Sequence, residues 1–215
     1  MHPTALPQSF SARTRLHGWR LFGLLAALVL LATAVTLALQ PHGVEGLRSA
    51  IRVTARLSFV LFLASFLASS LNTLLPGPNS RALLRERRFL GLGFAFSHLV
   101  HGVLIISYAQ LFPETFWAGR SVTANLPGSL GYLCILLLTL TSFPAAIKWL
   151  GARTWKALHS SGSWVIVGVF CLSFFKRVPL GWGYALAFAV VVSAIVLKLV
   201  AKLAQRQRRL AARHA

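Results

Sequence analysis

The sequence predicts an all-α integral membrane protein, a bundle of six transmembrane helices. Hydrophobic residues make up 56% of the 215 residues and charged residues only 12%, whereas an ordinary soluble domain has about 25% charged residues. Six apolar stretches are long enough to cross a hydrocarbon core of about 30 Å, which takes roughly 20 helical residues. Short segments with Pro, Gly or basic residues separate them. A soluble fold is therefore disfavoured.

The six predicted helices follow one another with short connections. They cover about 21–39, 57–75, 89–111, 128–147, 157–175 and 180–201. The first resembles a signal peptide because arginines precede it, but its apolar stretch exceeds the usual length of about 7–15 residues. We interpret it as a retained helix. The chain then divides into a basic tail at 1–20, a transmembrane domain at 21–201 and a basic tail at 202–215.

The charge of the chain is strongly positive. Lys and Arg number 22 against three Glu and no Asp, for a formal net charge of +19. A nucleic-acid-binding protein would carry such charge on the face of a water-soluble domain. Here the basic residues lie between apolar stretches, where they set the orientation of a membrane protein in its lipid bilayer. We therefore expect no nucleic-acid partner.

The basic segments alternate along the chain. If the chain crosses the membrane six times, four segments rich in Lys and Arg lie on the same side of it. They are the N-terminal tail, the connection at 76–88, the connection at 148–156 and the C-terminal tail. Basic residues near helix ends stay in the cytoplasm, so we expect both termini there. Arg48, Arg52 and Arg56 would lie on the opposite side, and we expect residues 46–56 to form a short amphipathic helix at the interface.

Ionisable side chains inside the helices indicate function because they are costly in hydrocarbon. The predicted helices hold no Asp or Glu, which disfavours a proton- or sodium-driven transporter, and Lys198 is expected to reach the cytoplasmic edge. Histidines remain: His98 and His101 in the third helix and His159 at the start of the fifth. The others, His2, His17, His42 and His214, fall in tails and loops and are expected to be solvated.

Histidine in a helical bundle is a usual axial ligand of haem iron. His98 and His101 lie three residues apart, so they share one helical face. Because a polar group facing lipid would be unpaired, we expect both to face the bundle interior. Either they bind a cofactor or they only hydrogen-bond to a neighbouring helix. Spacing alone leaves both readings open.

Two strings resemble the ferric reductase-like transmembrane domain family, closest to its bacterial haem-binding subunits of the methionine sulfoxide reductase system. One is Arg-Arg-Phe-Leu-Gly-Leu at 87–92, followed by His101. The other is Leu-Thr-Ser at 140–142 with Leu-Gly-Ala-Arg-Thr-Trp-Lys-Ala-Leu-His at 150–159. The resemblance covers about residues 50–200. It implies six helices and cofactor-binding histidines, with His101 and His159 as the ligands of haem iron.

The resemblance also implies the direction of electron flow in a bacterial inner membrane. Electrons would pass through haem b from a cytoplasmic donor, linked to flavin or quinone, to an exoplasmic redox partner. No segment is long enough for a flavin or nicotinamide domain, so we expect a separate cytoplasmic reductase or the quinol pool to supply them. The chain would then be the haem-bearing component of an oxidoreductase.

The chain departs from the family pattern in its fifth helix. The family's second histidine there would fall at Leu172. From the start of their helices, His101 lies about 18 Å deep, His98 about 14 Å and His159 only about 3–6 Å. His101 and His159 are therefore poorly placed to share one iron, and a second ligand would be external or the thiol of Cys171. The alternative is a non-catalytic membrane scaffold or assembly protein that keeps the fold but has lost haem.

Overall fold

The computed structural model describes residues 17–40, 42–118 and 122–214, and within these ranges the chain is helical with no strand. His2, Arg13, Arg15 and most of the predicted tail at 1–20 lie outside them. In chain order the helices are α1 Trp19–Leu39, α2 Val44–Leu74, α3 Pro78–Leu111, α4 Pro113–Trp117, α5 Val122–Leu140, α6 Pro144–Leu150, α7 Ala152–Phe175 and α8 Trp182–His214, with a 3-10 turn at Val178–Leu180 before α8.

Five of these helices, α1, α2, α3, α7 and α8, are each long and apolar enough to cross a membrane. A further pair, Asn125–Leu140 with Pro144–Leu150, passes the same test together as one broken span. The prediction of an all-α, multi-pass membrane protein is confirmed. The described residues contain five unbroken spans and a sixth when the bent pair counts as one.

The fourth span is broken, and the prediction of one helix over 128–147 was wrong. The two parts meet at an angle of 99°. Phe143 between them has extended backbone angles, φ −104° and ψ 149°. The proline ring of Pro144 disfavours a helical conformation at the preceding residue, and Pro144 has no N–H to continue the helix. The chain therefore turns here and restarts as α6.

Residues 46–56 do not form a separate interfacial helix, contrary to the expectation from their arginines. They are part of the first turns of α2, which runs unbroken to Leu74. Arg48 donates from Nε to the hydroxyl oxygen of Tyr108 on α3 at 3.0 Å and pairs with Glu45 at 3.0 Å. At the other end of the chain, α8 continues to His214, so the predicted tail is helical through that residue.

A seam of polar side chains joins α2 to α3, which form an antiparallel hairpin. Ser58 donates to the hydroxyl of Ser97 at 2.9 Å, and Ser97 donates to the carbonyl of Thr54 at 3.3 Å. Ser58, Ser97 and Thr54 are all fully buried. An unpaired polar group in hydrocarbon costs several kcal/mol, so these pairs set the register between the two helices.

Basic and aromatic residues mark two ends of the bundle. From Arg87 to Tyr108, α3 rises about 31 Å, and α7 rises about 31 Å from Trp155 to Lys176. The hydrocarbon core of a bilayer is about 30 Å thick. We call the end of the bundle with Arg87 and Trp155 the Arg87 end, and the end with Tyr108 and Lys176 the Tyr108 end.

Phenylalanines fill the space between the helices in the middle of the bundle. The phenylalanine cluster consists of Phe59, Phe62 and Phe66 on α2, Phe94 on α3, and Phe170 and Phe174 on α7, with ring centres 4.7–6.3 Å apart in the contacting pairs. Ile135 of α5 and Val191 of α8 belong to the same buried core. Five of the helices, α2, α3, α5, α7 and α8, therefore meet at this cluster.

Close helix approach depends on a few glycines. A Cβ added at Gly93 would lie 3.0 Å from Leu25 of α1, and one at Gly102 would lie 3.1 Å from Tyr132 of α5. One at Gly162 would lie 3.1 Å from Leu138, also on α5. These glycines let α1 and α5 approach their neighbours closely, as small residues do in membrane proteins.

Glu86 is the only buried acidic side chain among the described residues, with 9% of its surface exposed. It accepts a hydrogen bond from the backbone N–H of Gly18, just before α1, at 2.8 Å. Its other oxygen pairs with Arg85 at 2.9 Å. Glu86 therefore ties the start of α1 to α3.

We expect Glu86→Ala to lower the free energy of unfolding by about 1–3 kcal/mol, because a partly buried backbone donor loses a charged acceptor. Glu86→Gln keeps an acceptor and should cost less. The melting temperature in detergent measures both, with exposed Glu114→Ala as the control. Equal melting temperatures for Glu86→Ala and Glu114→Ala would contradict this anchoring role.

We expect reporter fusions at both termini and within 76–88 to report cytoplasm, because basic segments stay on that side. Fusions within 112–127 should report the opposite side. Alkaline phosphatase and green fluorescent protein fusions measure this, since each is active on one side only. A C-terminus outside the cytoplasm would mean an odd number of crossings and contradict the arrangement.

Candidate functional site

The two histidines of α3 face the interior of the bundle, as predicted. The ring of His98 lies 4.8 Å from Tyr132 of α5, 5.5 Å from Phe94 and 6.2 Å from Phe170 of α7, measured between ring centres. Nδ1 of His98 is buried and has no hydrogen-bond partner. A ring nitrogen without a partner inside the bundle is an unusual and costly feature.

His101 contacts α2 through one ring nitrogen. Its Nδ1 lies 3.0 Å from the carbonyl oxygen of Ile51 and 3.1 Å from the hydroxyl of Thr54. The Thr54 hydroxyl donates its proton to Ala50 at 2.8 Å, and a carbonyl can only accept, so Nδ1 of His101 carries the proton. In the neutral ring Nε2 then keeps its lone pair.

His159 carries its proton on the other ring nitrogen, Nε2. Its Nε2 lies 2.9 Å from the hydroxyl of Thr141, which donates its own proton to the carbonyl of Leu137 at 2.6 Å. Nε2 of His159 is therefore the donor. The ring also packs against Trp155, with centres 4.3 Å apart, and Trp155 donates to the carbonyl of Thr141 at 2.8 Å.

The three histidines lie at two different levels of the bundle. α3 and α7 run in the same direction if the spans alternate, and His98 contacts Phe170. Phe170 lies about 16 Å further along α7 than His159, at about 1.5 Å per residue. His101 is about 4.5 Å beyond His98. His159 therefore lies near the Arg87 end, whereas His98 and His101 lie closer to the Tyr108 end.

His101 fits one axial position of a haem, but α7 offers no second imidazole at its level. Metal-bound histidines usually donate the other ring N–H to a carbonyl or carboxylate, which fixes the ring. His101 does this through Ile51. Leu172 and Ser173 lie level with it on α7. His159 lies too far along α7 to reach the level of His101, and its Nε2 donates to Thr141.

Apolar side chains of α7 and α2 pack together near the level of His101. Phe174 of α7 packs on Phe59 of α2 with ring centres 4.7 Å apart. Cys171 is a free, partly buried thiol that packs against the core. The described residues hold no group of three or more His, Cys, Asp or Glu side chains that could bind a metal ion by themselves.

The sequence did not predict the residues on α2 and α5 that contact His98 and His101. Ile51 and Thr54 contact His101, and the hydroxyl of Tyr132 donates to the carbonyl of His98 at 3.3 Å. For the residues of α2 that face His101, the sequence did contain a signal. In a tight hairpin, residues equally far from the turn at 76–77 face each other, and this rule places His101 opposite Arg52, within two residues of both Ile51 and Thr54. Nothing comparable identifies Tyr132, because a longer connection separates α3 from α5.

Comparison with protein families matches residues 54–170 to the family described as ferric reductase like transmembrane component. Two curated proteins are similar. Both are named protein-methionine-sulfoxide reductase heme-binding subunit MsrQ. The one from Cronobacter sakazakii is 36% identical over 50% of this chain and 53% of its own length. The one from Polaromonas naphthalenivorans is 36% identical over 44% of this chain and 43% of its own length.

The chain thus spans about half the length of the curated relatives it matches. The family match covers α7 as far as Phe170 and includes all three candidate histidines. No solved structure matches the chain significantly.

We expect His101 and His159 to be opposite neutral tautomers in the purified protein without added cofactor. His101 should be protonated at Nδ1 because it donates to Ile51, and His159 at Nε2 because it donates to Thr141. Nitrogen-15 magnetic resonance of labelled histidine distinguishes the tautomers, and His101→Gln and His159→Gln assign the signals. The same tautomer at both positions would contradict the hydrogen bonds described above.

Proposed function

Since this chain belongs to the ferric reductase-like transmembrane component family, we propose that it is a membrane redox subunit that holds a b-type haem through His101. One observation carries the proposal. His101 faces the bundle interior with Nδ1 bonded to the carbonyl of Ile51 at 3.0 Å, and its Nε2 has no hydrogen-bond partner among the described residues. That is how a protein prepares an imidazole to bind a metal.

The polar seam holds His101 in this orientation. Thr54 accepts from its ring and is itself fully buried, so rotation of the ring would leave polar groups unpaired in hydrocarbon. Bound haem would supply one-electron chemistry at its iron. The chain supplies the ligand, an apolar surrounding of phenylalanines and the exclusion of water.

The position of His101 supports a direction for electron flow. It lies about 10 Å from the Tyr108 end and about 21 Å from the Arg87 end, at about 1.5 Å per residue of α3. We propose that the Arg87 end faces the cytoplasm of a bacterium and receives electrons there from a reductase or quinol. The acceptor would then be an exoplasmic redox partner near the Tyr108 end.

We propose a different role for His159. It lies near the Arg87 end, packs against Trp155 and donates to Thr141. A histidine with a neighbouring indole at the donor side is suited to contact a flavin or quinone head group, or to orient a cofactor by hydrogen bonding. His98, with its unpaired Nδ1, would lie beside the haem that His101 holds.

The relatives' names support a subunit role. Both are named as haem-binding subunits of protein-methionine-sulfoxide reductase, and we propose that this chain also serves a separate catalytic redox subunit.

A second candidate function is a membrane scaffold or assembly protein that keeps the fold without haem. The observation that favours it is the apolar character of α7 at the level of His101, where Leu172 stands at the family's second histidine position. Haem held by a single imidazole would be bound less tightly than haem held by two, because one axial bond is missing.

We expect His101→Ala to remove most of the haem and His159→Ala to leave most of it, because the two side chains lie at different levels. The pyridine haemochrome assay on protein purified from haem-supplied cells measures the content. His42→Ala changes an exposed histidine and is the control.

Two results would contradict the proposal. Equal haem loss in His101→Ala and His159→Ala would mean that both histidines hold the same iron. Absence of haem from the unmodified protein would favour the scaffold.

A further inference from the structure

A group of cations from two helices lies at the Arg87 end, apart from the histidines of α3. The basic layer consists of Arg87 and Arg88 on α3 and Lys198 on α8. Glu86 is the only acidic side chain on this part of α3, and it already accepts from Gly18 and pairs with Arg85. No described ion pair involves any of the three cations of the basic layer.

Lys198 turns inward from α8 to α2 instead of simply reaching into water. Its Nζ donates to the carbonyl oxygen of Phe66 at 2.6 Å and lies 3.4 Å from the hydroxyl of Ser69. It also lies 4.4 Å from the centre of the Phe66 ring. An ammonium group has three donors, so at least one proton remains for a further acceptor.

The backbone of Arg87 is bonded to the same part of α2 that holds this ammonium group. Its carbonyl accepts from Ser65 at 3.2 Å, and Ser65 precedes Phe66, the acceptor of Lys198. In the described residues the guanidinium of Arg87 has no hydrogen-bond partner.

Arg88 is the third cation of the basic layer, and it has a hydrogen-bond donor without a partner. Its guanidinium lies 5.4 Å from the centre of the Phe89 ring and 5.2 Å from that of Phe143. Its Nε is buried without a partner. Cations at one level of the bundle without a counter-charge among the described residues repel one another, and an anion beside them would lower that cost.

The depth of the basic layer identifies the kind of anion. Arg87 lies about 31 Å from Tyr108 along α3, which matches the thickness of the hydrocarbon core, so the basic layer lies where lipid phosphates lie. The neighbouring surface of α8 exposes apolar side chains, with Val196 54% and Leu199 46% exposed. Basic sites between transmembrane helices bind the head groups of anionic lipids.

We propose that Arg87 and Lys198 bind the phosphate of an anionic phospholipid, with Arg88 beside them and the acyl chains along α8. The bound chemistry is a phosphate, and the membrane is its source. The lipid would join α8 to α3 where the protein alone leaves like charges together. This site is independent of haem and of the proposed electron transfer.

Native mass spectrometry of the delipidated, full-length protein tests the site by titration with phosphatidylglycerol and with phosphatidylcholine. We expect phosphatidylglycerol to bind and phosphatidylcholine to bind at least about tenfold more weakly, because its head group has no net charge. Arg87→Gln and Lys198→Gln should each weaken phosphatidylglycerol binding about tenfold, since each removes a charged hydrogen-bond donor.

Lys202→Gln is the matched control, because Lys202 carries the same charge one turn further along α8 and is exposed. It should change binding less than about twofold. An equal loss in Lys202→Gln, or equal binding of the two lipids, would overturn the proposal.

Inorganic phosphate distinguishes the membrane source from a soluble one. We expect millimolar inorganic phosphate neither to displace phosphatidylglycerol nor to raise the melting temperature of the delipidated protein. If it does both, the site takes a soluble phosphate and the assignment to lipid is wrong. Should Arg87→Gln fail to fold, Arg87→Lys keeps the charge and should retain phosphatidylglycerol binding. Its failure to bind would also overturn the proposal.

Discussion

The polar seam between α2 and α3 is the interaction on which the rest of the structure depends. In hydrocarbon a hydroxyl or a ring N–H has no water to bond, so Ser58, Ser97, Thr54 and His101 must find one another. Only one register of the hairpin satisfies all of them. The same register places Arg48 against Tyr108 at one end of the bundle, and it therefore defines the levels at which every other helix packs.

The seam also separates two chemical environments along α3. Near the Tyr108 end, His101 is fixed by α2 and faces an apolar interior. Near the Arg87 end, cations gather without carboxylates, because the chain has few acidic residues and Glu86 is occupied by α1. Redox chemistry at one level and lipid binding at the other would need no contact between the two sites. They are joined by the rigid helix that carries both.

Much of this arrangement could be predicted from particular residues. Apolar stretches between basic segments predicted the spans, and the spacing of His98 and His101 predicted their common inward face. The break before Pro144 and the unbroken start of α2 were missed. A proline after a serine and a phenylalanine can end a helix or kink it, and packing decides which. Regularly spaced arginines give the same sequence pattern in a separate interfacial helix and in the extension of a membrane-spanning helix.

The sequence by itself determined that the chain crosses the membrane, which side chains are costly there, and that α7 lacks a histidine at Leu172. These follow from composition and spacing, which need no knowledge of neighbours. The packed helices were needed to show which nitrogen of His101 carries the proton, that His159 donates to Thr141, and that Lys198 donates to the carbonyl of Phe66. Hydrogen bonds and unpaired charges between helices depend on register and depth, and these are set by packing among segments far apart in the chain.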